Sequence, residues 1–260
     1  MTSQQPLESD RLPQVDGLCS PIVDLRQYTL HPGTRDAFVE LFDREFVETQ
    51  EAAGMRIIGQ FRDLGDPNRY VWLRGFADMP ARQRALNAFY IGGPAWAAHS
   101  ETARSMMIDT SDALLLHPVR PEWGFALDDP AQRPPLESAT PNSIVVATVH
   151  HLAEPASAVF LDFYEDSIVT ALRGARARVL GLFATEHSPN NFPRLPLRER
   201  ENVFVAFCGF DDLATYHRHM TALGRDRSWR QDLYPELTRR LTMPPQTLRL
   251  APTSRSQLRG

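Results

Sequence analysis

Alternate positions of two short runs hold the residues best suited to chemistry. In Ile22 to Tyr28, Asp24, Arg26 and Tyr28 fall on one side of an extended strand, with Val23, Leu25 and Gln27 on the other. In Arg69 to Phe76 the same alternation aligns Tyr70, Trp72 and Arg74 opposite Val71 and Leu73. The guanidiniums of Arg26 and Arg74, the Tyr28 phenol and the Trp72 indole would make a pocket for a planar, partly anionic ligand. The competing reading is an ionic and aromatic layer that joins two sheets, with Arg26 paired to a neighbouring Asp24. If the apolar positions face helices, this polar face points into the space the sheets enclose.

A second pair of runs gives a smaller, more apolar face made of Val146, Thr148, His150, Phe204, Ala206 and Cys208. Small residues leave room for a cavity, and His150 could exchange protons near neutral pH. A packed core histidine is the alternative. Between these runs, Glu186 to Glu201 is a long connection rich in proline. Its Phe192 and Leu195 are apolar anchors that favour order, and Glu186, Asn191, Arg194 and Arg198 could line a pocket mouth. A rigid lid or a dimer contact is the alternative.

No HExxH, GxGxxG or GxSxG occurs. His217 and His219 diverge on a helix, so no metal site is expected, and His99 reads as a solvated helix residue. Arg173, Arg176 and Arg178 cluster, but the formal net charge of −4 argues against nucleic acid as a partner. All 28 Lys+Arg residues are arginine. A chain without lysine forms no lysine Schiff base and completes no phosphate-binding P-loop.

These runs are positioned by an internal duplication. Met55 to Phe61 and Ala177 to Phe183 match, with Gly59 and Gly181 lying 122 positions apart. Phe38, Leu41, Phe42 and Phe46 form an apolar helix face, which Phe160, Phe163, Tyr164 and Ile168 repeat at the same spacing. Gly75-Phe76 and Gly209-Phe210 stand 134 apart, as do Leu114, Leu116 and Pro118 from Leu248, Leu250 and Pro252, so the second copy carries a 12-residue insertion. Thr34 is a plausible N-cap, and Ala113 to His117 reads as the last strand of the first copy.

Each copy reads β-α-β-β-α-β. The expected fold is α+β: two fused ferredoxin-like (βαββαβ) repeats whose antiparallel sheets pack as an α+β barrel. The expected division is an N-terminal arm over 1–20, a first repeat over 21–120, a linker over 121–142, a second repeat over 143–252 and a polar, mobile tail over 253–260. The chain's 260 residues suffice for two such cores. No apolar run is long enough to span a bilayer, and two cysteines are too few for a disulfide framework. Met1 to Asp16 resembles neither a secretory signal nor a mitochondrial presequence. The expectation is a cytoplasmic protein without a membrane partner.

Gly59-Gln60-Phe61-Arg62-Asp63-Leu64, Val71-Trp72-Leu73-Arg74-Gly75-Phe76 and Phe89-Tyr90-Ile91-Gly92-Gly93-Pro94-Ala95-Trp96 carry a more specific signal. With Asp24 to Gly33 before them and Leu248 to Thr253 after, they resemble the NIPSNAP family of the dimeric α+β barrel superfamily, in its tandem bacterial form. That superfamily includes cofactor-free oxygenases of polyketides, reduced-flavin-using oxygenases, haem enzymes and plain binding proteins. The resemblance implies a small-molecule enzyme of bacterial specialised metabolism, oxygenase-type, acting on an apolar or aromatic substrate. It would hold no tightly bound metal or cofactor, with reduced flavin as an optional co-substrate and a homodimer as an optional assembly. Its substrate-binding residues would be Arg26, Tyr28, Trp72, Arg74, His150, Glu186, Asn191 and Arg198, with no catalytic residue assigned. A non-catalytic small-molecule-binding or stress-response protein on the same barrel remains the alternative.

Overall fold

The computed structural model describes residues 20–127 and 132–260. The N-terminal arm expected over 1–20 lies outside the described residues except for Ser20. The first repeat runs β1 (Ile22–Leu30), α1 (Arg35–Leu41), a π-helical turn (Phe42–Phe46), α2 (Val47–Ala52), β2 (Arg56–Asp63), β3 (Arg69–Phe76), α3 (Met79–Tyr90), α4 (Pro94–Ser105) and β4 (Met107–Pro118). The second runs β5 (Ile144–Leu152), α5 (Ala158–Phe163), a π-helical segment (Tyr164–Val169), α6 (Thr170–Gly174), β6 (Arg178–Thr185), β7 (Asn202–Phe210), α7 (Leu213–Arg225), a third π-helical turn (Trp229–Leu233), α8 (Tyr234–Arg239) and β8 (Gln246–Pro252).

Local chemistry sets the boundaries. The carboxylates of Asp63 and Asp66 accept from the backbone N–H of Gly65 and Asn68 at 2.7 and 2.9 Å, closing the β2–β3 turn. Asp78 and Asp212, 134 positions apart, cap α3 and α7 by accepting from the N–H of Ala81 and Thr215. Thr34 precedes α1 but makes no cap bond, because its hydroxyl donates to the His31 carbonyl at 2.8 Å instead. The fourth strand is longer than the expected Ala113 to His117. It starts at Met107 because β1 offers a partner along its whole length.

All strand pairs are antiparallel, and they close into one barrel in the order β1-β3-β2-β8-β5-β7-β6-β4. Each repeat has its fourth strand beside its first. The seams are equivalent: β2 pairs β8 at Phe61 with Pro252, and β4 pairs β6 at Leu116 with Thr185. One chain therefore supplies both walls.

The barrel interior is solid. Val23, Leu25, Val71 and Leu73 from one repeat meet Val145, Val149, Val205 and Leu250 from the other, and Phe125 of the linker packs on Phe183 at 4.6 Å. An eight-stranded barrel has room for such side chains and little else. The expected orientation of the strand faces is thus reversed. The Val/Leu face fills the barrel, while the Asp24, Arg26, Tyr28, Trp72 and Arg74 face lies under the helices, whose side chains supply the polar partners that an apolar interior lacks.

The duplicated glycines have a shared steric cause. A Cβ on Gly59 would lie 2.5 Å from the Phe61 ring, and one on Gly181 would lie 2.7 Å from Phe183. Each phenylalanine folds back over the glycine two residues before it, where the β2–β3 and β6–β7 registers shift. The tail, expected to be mobile, packs down instead. Thr253 and Leu258 donate backbone N–H groups to the carbonyls of Gln60 and Ile58 at 2.8 Å, and Leu258 joins the barrel core.

Candidate functional site

Each repeat holds a cavity between the outer face of its sheet and its helices. The first, of about 200 Å³, is walled by Tyr28 and Trp72 from the sheet, Phe42 and Phe46 from the π-helical turn, and Tyr90 and Trp96 from the α3–α4 region. Its rings meet edge to face: Tyr28 on Trp72 at 5.9 Å, Phe42 on Trp72 at 4.9 Å and Tyr90 on Trp96 at 4.9 Å. The π-helical segments begin at Phe42 and Tyr164, again 122 apart, and each turns two residues toward its own cavity, Phe42 and Phe46 in one and Tyr164 and Ile168 in the other. Widened helical turns of this kind recur at functional sites.

Behind the first cavity lies a buried charge cluster. Asp24, fully buried, meets Arg74 at 2.8 Å, Arg82 at 3.5 Å and Arg26 at 3.9 Å. Burial works against the Asp24 charge, but Arg82, Arg74 and Arg26 together hold its carboxyl below the usual range. Three guanidiniums around one carboxylate leave positive charge in excess, and it is passed to cavity-lining groups. Arg26 donates to the Tyr28 hydroxyl at 3.3 Å and to the Thr110 carbonyl at 3.1 Å. Arg74 donates to the Gln50 side-chain oxygen at 3.3 Å and to the Tyr90 hydroxyl at 3.2 Å, and stacks over Trp72 at 4.8 Å. Burial raises the Tyr90 phenol, with Arg74 acting against it, so the phenol stays protonated at neutral pH. Both phenol oxygens accept from arginine, which leaves both phenol protons to be donated. The Trp72 indole N–H, on the same wall, is buried and has no hydrogen-bond partner among the described residues.

The Glu186 to Glu201 insertion belongs to the second repeat but roofs the cavity of the first. Asn191 accepts from Arg82 at 2.7 Å and donates to the Met79 carbonyl at 2.5 Å, fastening the insertion to α3. Phe192 is buried against Tyr90 at 5.9 Å, and Arg194 and Leu195 complete the lining, with Arg104 contributed by α4. Glu186 and Arg198 lie elsewhere. Glu186 sits at the β4–β6 seam, 3.4 Å from His117, and Arg198 pairs with Asp112 at 2.8 Å and with Glu201. The ends of the insertion are tied to the barrel seam, so only its middle reaches the cavity.

The second cavity, of about 290 Å³, repeats the geometry with different chemistry. Val146, Thr148 and His150 take the places of Asp24, Arg26 and Tyr28, and Ala206 and Cys208 those of Trp72 and Arg74. His150 Nε2 lies 3.2 Å from the Tyr164 hydroxyl, and its Nδ1 is buried without a partner among the described residues. Burial pushes the His150 imidazole down to about 4 and the Cys208 thiol up to about 12, so both are neutral at pH 7.

The structure thus gathers Arg26, Tyr28, Trp72, Arg74 and Asn191 around one cavity, leaves His150 in another, and sets Glu186 and Arg198 apart from both. Sequence reasoning missed Arg82, Tyr90, Gln50 and Arg104. Tyr90 and Trp96 stand in the run that carries the family resemblance, which was a usable signal. Nothing local marks Gln50 or Arg82. Among the described residues no group of His, Cys, Asp and Glu is placed to hold a metal ion, and no helix is long and apolar enough to cross a membrane.

Solved structures share this fold. A candidate monooxygenase from Fusobacterium nucleatum subsp. nucleatum ATCC 25586 is 11% identical, with a TM-score of 0.57 over 93% of this chain and 97% of that one. A candidate monooxygenase from Lactobacillus acidophilus NCFM is 11% identical, with a TM-score of 0.53 over 90% of this chain and 94% of that one. An anthrone oxidase-like protein is 10% identical, with a TM-score of 0.53 over 95% of this chain and 97% of that one. At these identities the likeness is one of fold. No curated protein matches the chain by sequence. The NIPSNAP family model matches residues 23–121. That match covers the first repeat, with its ring-lined cavity and buried arginines, and the second repeat builds the same fold behind it.

Proposed function

We propose that this protein is an oxygenase-type enzyme of small-molecule metabolism, and that it takes an aromatic, electron-rich substrate in the cavity of the first repeat. One observation carries the reading. Arg26 and Arg74 donate to Tyr28 and Tyr90, so two phenol protons are left to meet a substrate oxygen in a ring-lined space. Donors fixed before the substrate arrives stabilise charge that develops on an enolate or phenolate oxygen. Tyr28 and Tyr90 would touch the substrate, while Arg26 and Arg74 act through them as positioning residues. Arg104 and Arg194 favour an anion on the lining. The names of the fold neighbours, candidate monooxygenases and an anthrone oxidase-like protein, support the same class of chemistry.

In this reading the substrate binds as its anion and its electron-rich carbon adds to O₂; the peroxide so formed takes up one proton, and its O–O bond breaks with loss of water, leaving a carbonyl on that carbon. The cavity volume of about 200 Å³ is below the roughly 300–1,000 Å³ of sites for drug-sized ligands. It accepts a few fused rings. Among the described residues the cavity lining offers phenols, an amide and guanidiniums but no carboxylate or imidazole base. That observation favours a second reading, a binding protein with the same cavity.

Oxygen uptake separates the two. With anthrone as substrate, the enzyme reading expects O₂ consumption in proportion to substrate, reduced at least tenfold in Tyr90→Phe. Saturable anthrone binding without O₂ consumption would favour the binding protein. Absence of both would remove the first cavity as a site for this class.

A further inference from the structure

We propose that the cavity of the second repeat is a separate binding site for an uncharged, apolar molecule bearing one hydroxyl group, of the phenol class. The proposal goes beyond the oxygenase reading, because the solid barrel core stands between this cavity and the first.

Three observations lead to it. First, the duplication kept the space and removed the charge. Where the first repeat has Asp24, Arg26 and Arg74 under its helices, the second has Val146, Thr148 and Cys208, and among the described residues the cavity lining includes no Arg, Asp or Glu. An anion entering would lose its hydration with no cation to replace it. An uncharged ligand loses little, and Leu172, Leu223, Trp229 and Leu237 give it apolar contact.

Second, one polar atom is left unsatisfied. His150 is 3% exposed, it lines the cavity, and its Nδ1 has no partner among the described residues. Buried polar atoms are normally paired, so an orphan at a cavity wall is a site for a missing group. If Tyr164 donates to Nε2, then Nδ1 carries the proton and needs an acceptor. If Nε2 donates to Tyr164, then Nδ1 needs a donor. A hydroxyl satisfies either arrangement, whereas a ketone, which only accepts, or an ammonium, which only donates, satisfies one.

Third, the volume of about 290 Å³ far exceeds the ~30 Å³ share of a water molecule and suits a substituted ring. Ala206 and Cys208 stand where Trp72 and Arg74 fill the first repeat.

The test uses the full chain and two probes of nearly equal size. Thymol is uncharged at neutral pH, and cumate is a carboxylate. Calorimetry should show thymol binding that weakens at least tenfold in Ala206→Phe, which fills the cavity, and in His150→Phe. Cumate should compete poorly with thymol. Because either variant could misfold, the unaltered protein provides a second readout: the nitrogen resonances of the His150 imidazole should shift as thymol saturates. Thymol affinity unchanged in both variants, cumate displacing thymol at equal concentration, or His150 resonances that stay still at saturation would each overturn the proposal.

Discussion

The guanidinium of Arg74 donates to the phenol oxygen of Tyr90 at 3.2 Å while also holding the buried Asp24 carboxylate at 2.8 Å. One side chain thus joins the charge cluster beneath the sheet to the wall of the first cavity. Tyr90→Phe removes the phenol without disturbing the ion pair. We expect a stability loss of about 1 kcal/mol, as for one hydrogen bond, together with at least tenfold weaker binding of an aromatic anion. Thermal melting and calorimetry measure the two effects separately.

Asp24→Asn should be far more damaging. It leaves Arg26, Arg74 and Arg82 buried together with no counter-charge. Breaking such a cluster from one side costs about 3–5 kcal/mol, readable from urea denaturation. A variant as stable as the parent would mean that solvent reaches these arginines.

Gly59→Ala and Gly181→Ala test the duplicated steric device. Each new methyl group meets a phenylalanine ring, and at Gly181 it also meets the Trp123 carbonyl at 2.9 Å. Overpacking of this kind costs about 1–3 kcal/mol. Gly181→Ala should be the worse of the two, because a backbone oxygen yields less readily than a side chain.

The insertion separates anchoring from lining. Arg198→Ala removes the pairing to Asp112 and Glu201, and should lower stability by about 1 kcal/mol while barely changing ligand affinity. Phe192→Ala opens the roof beside Tyr90 and should both destabilise the fold by about 3 kcal/mol and weaken binding in the first cavity. Paired melting and binding curves distinguish the two roles.

His150 gives the second repeat a pH signature. Its folded-state value of about 4 lies below the free value of 6.5, so the unfolded chain binds the proton more readily. The stability it contributes is complete above pH 6.5 and is lost as pH falls toward 4, by up to about 3 kcal/mol. His150→Gln should flatten that decline relative to the parent in melts across this range. An imidazole that titrates near 6.5 by nuclear magnetic resonance would show that the site is wet.

The duplication was legible from residues alone because sterics and periodicity are local. Gly59 and Gly181 recur in matching runs 122 positions apart, and the apolar helix faces Phe38 to Phe46 and Phe160 to Ile168 repeat at the same spacing. Those features dictated two ferredoxin-like repeats and one barrel. Alternation in β1 and β3 also separated the Asp24, Arg26 and Tyr28 face from the Val23 and Leu25 face. It did not say which face turned inward, since period-2 patterning is symmetric until both sides of the sheet are covered. Closure of the barrel decided that question: its narrow, apolar interior takes valine and leucine, and arginine finds partners only under the helices. Long-range contacts decided the rest. Arg82 reaches Asp24 from α3, and the second repeat's insertion crosses to roof the first repeat's cavity through Asn191 and Phe192, pairings set by packing between elements far apart in the chain.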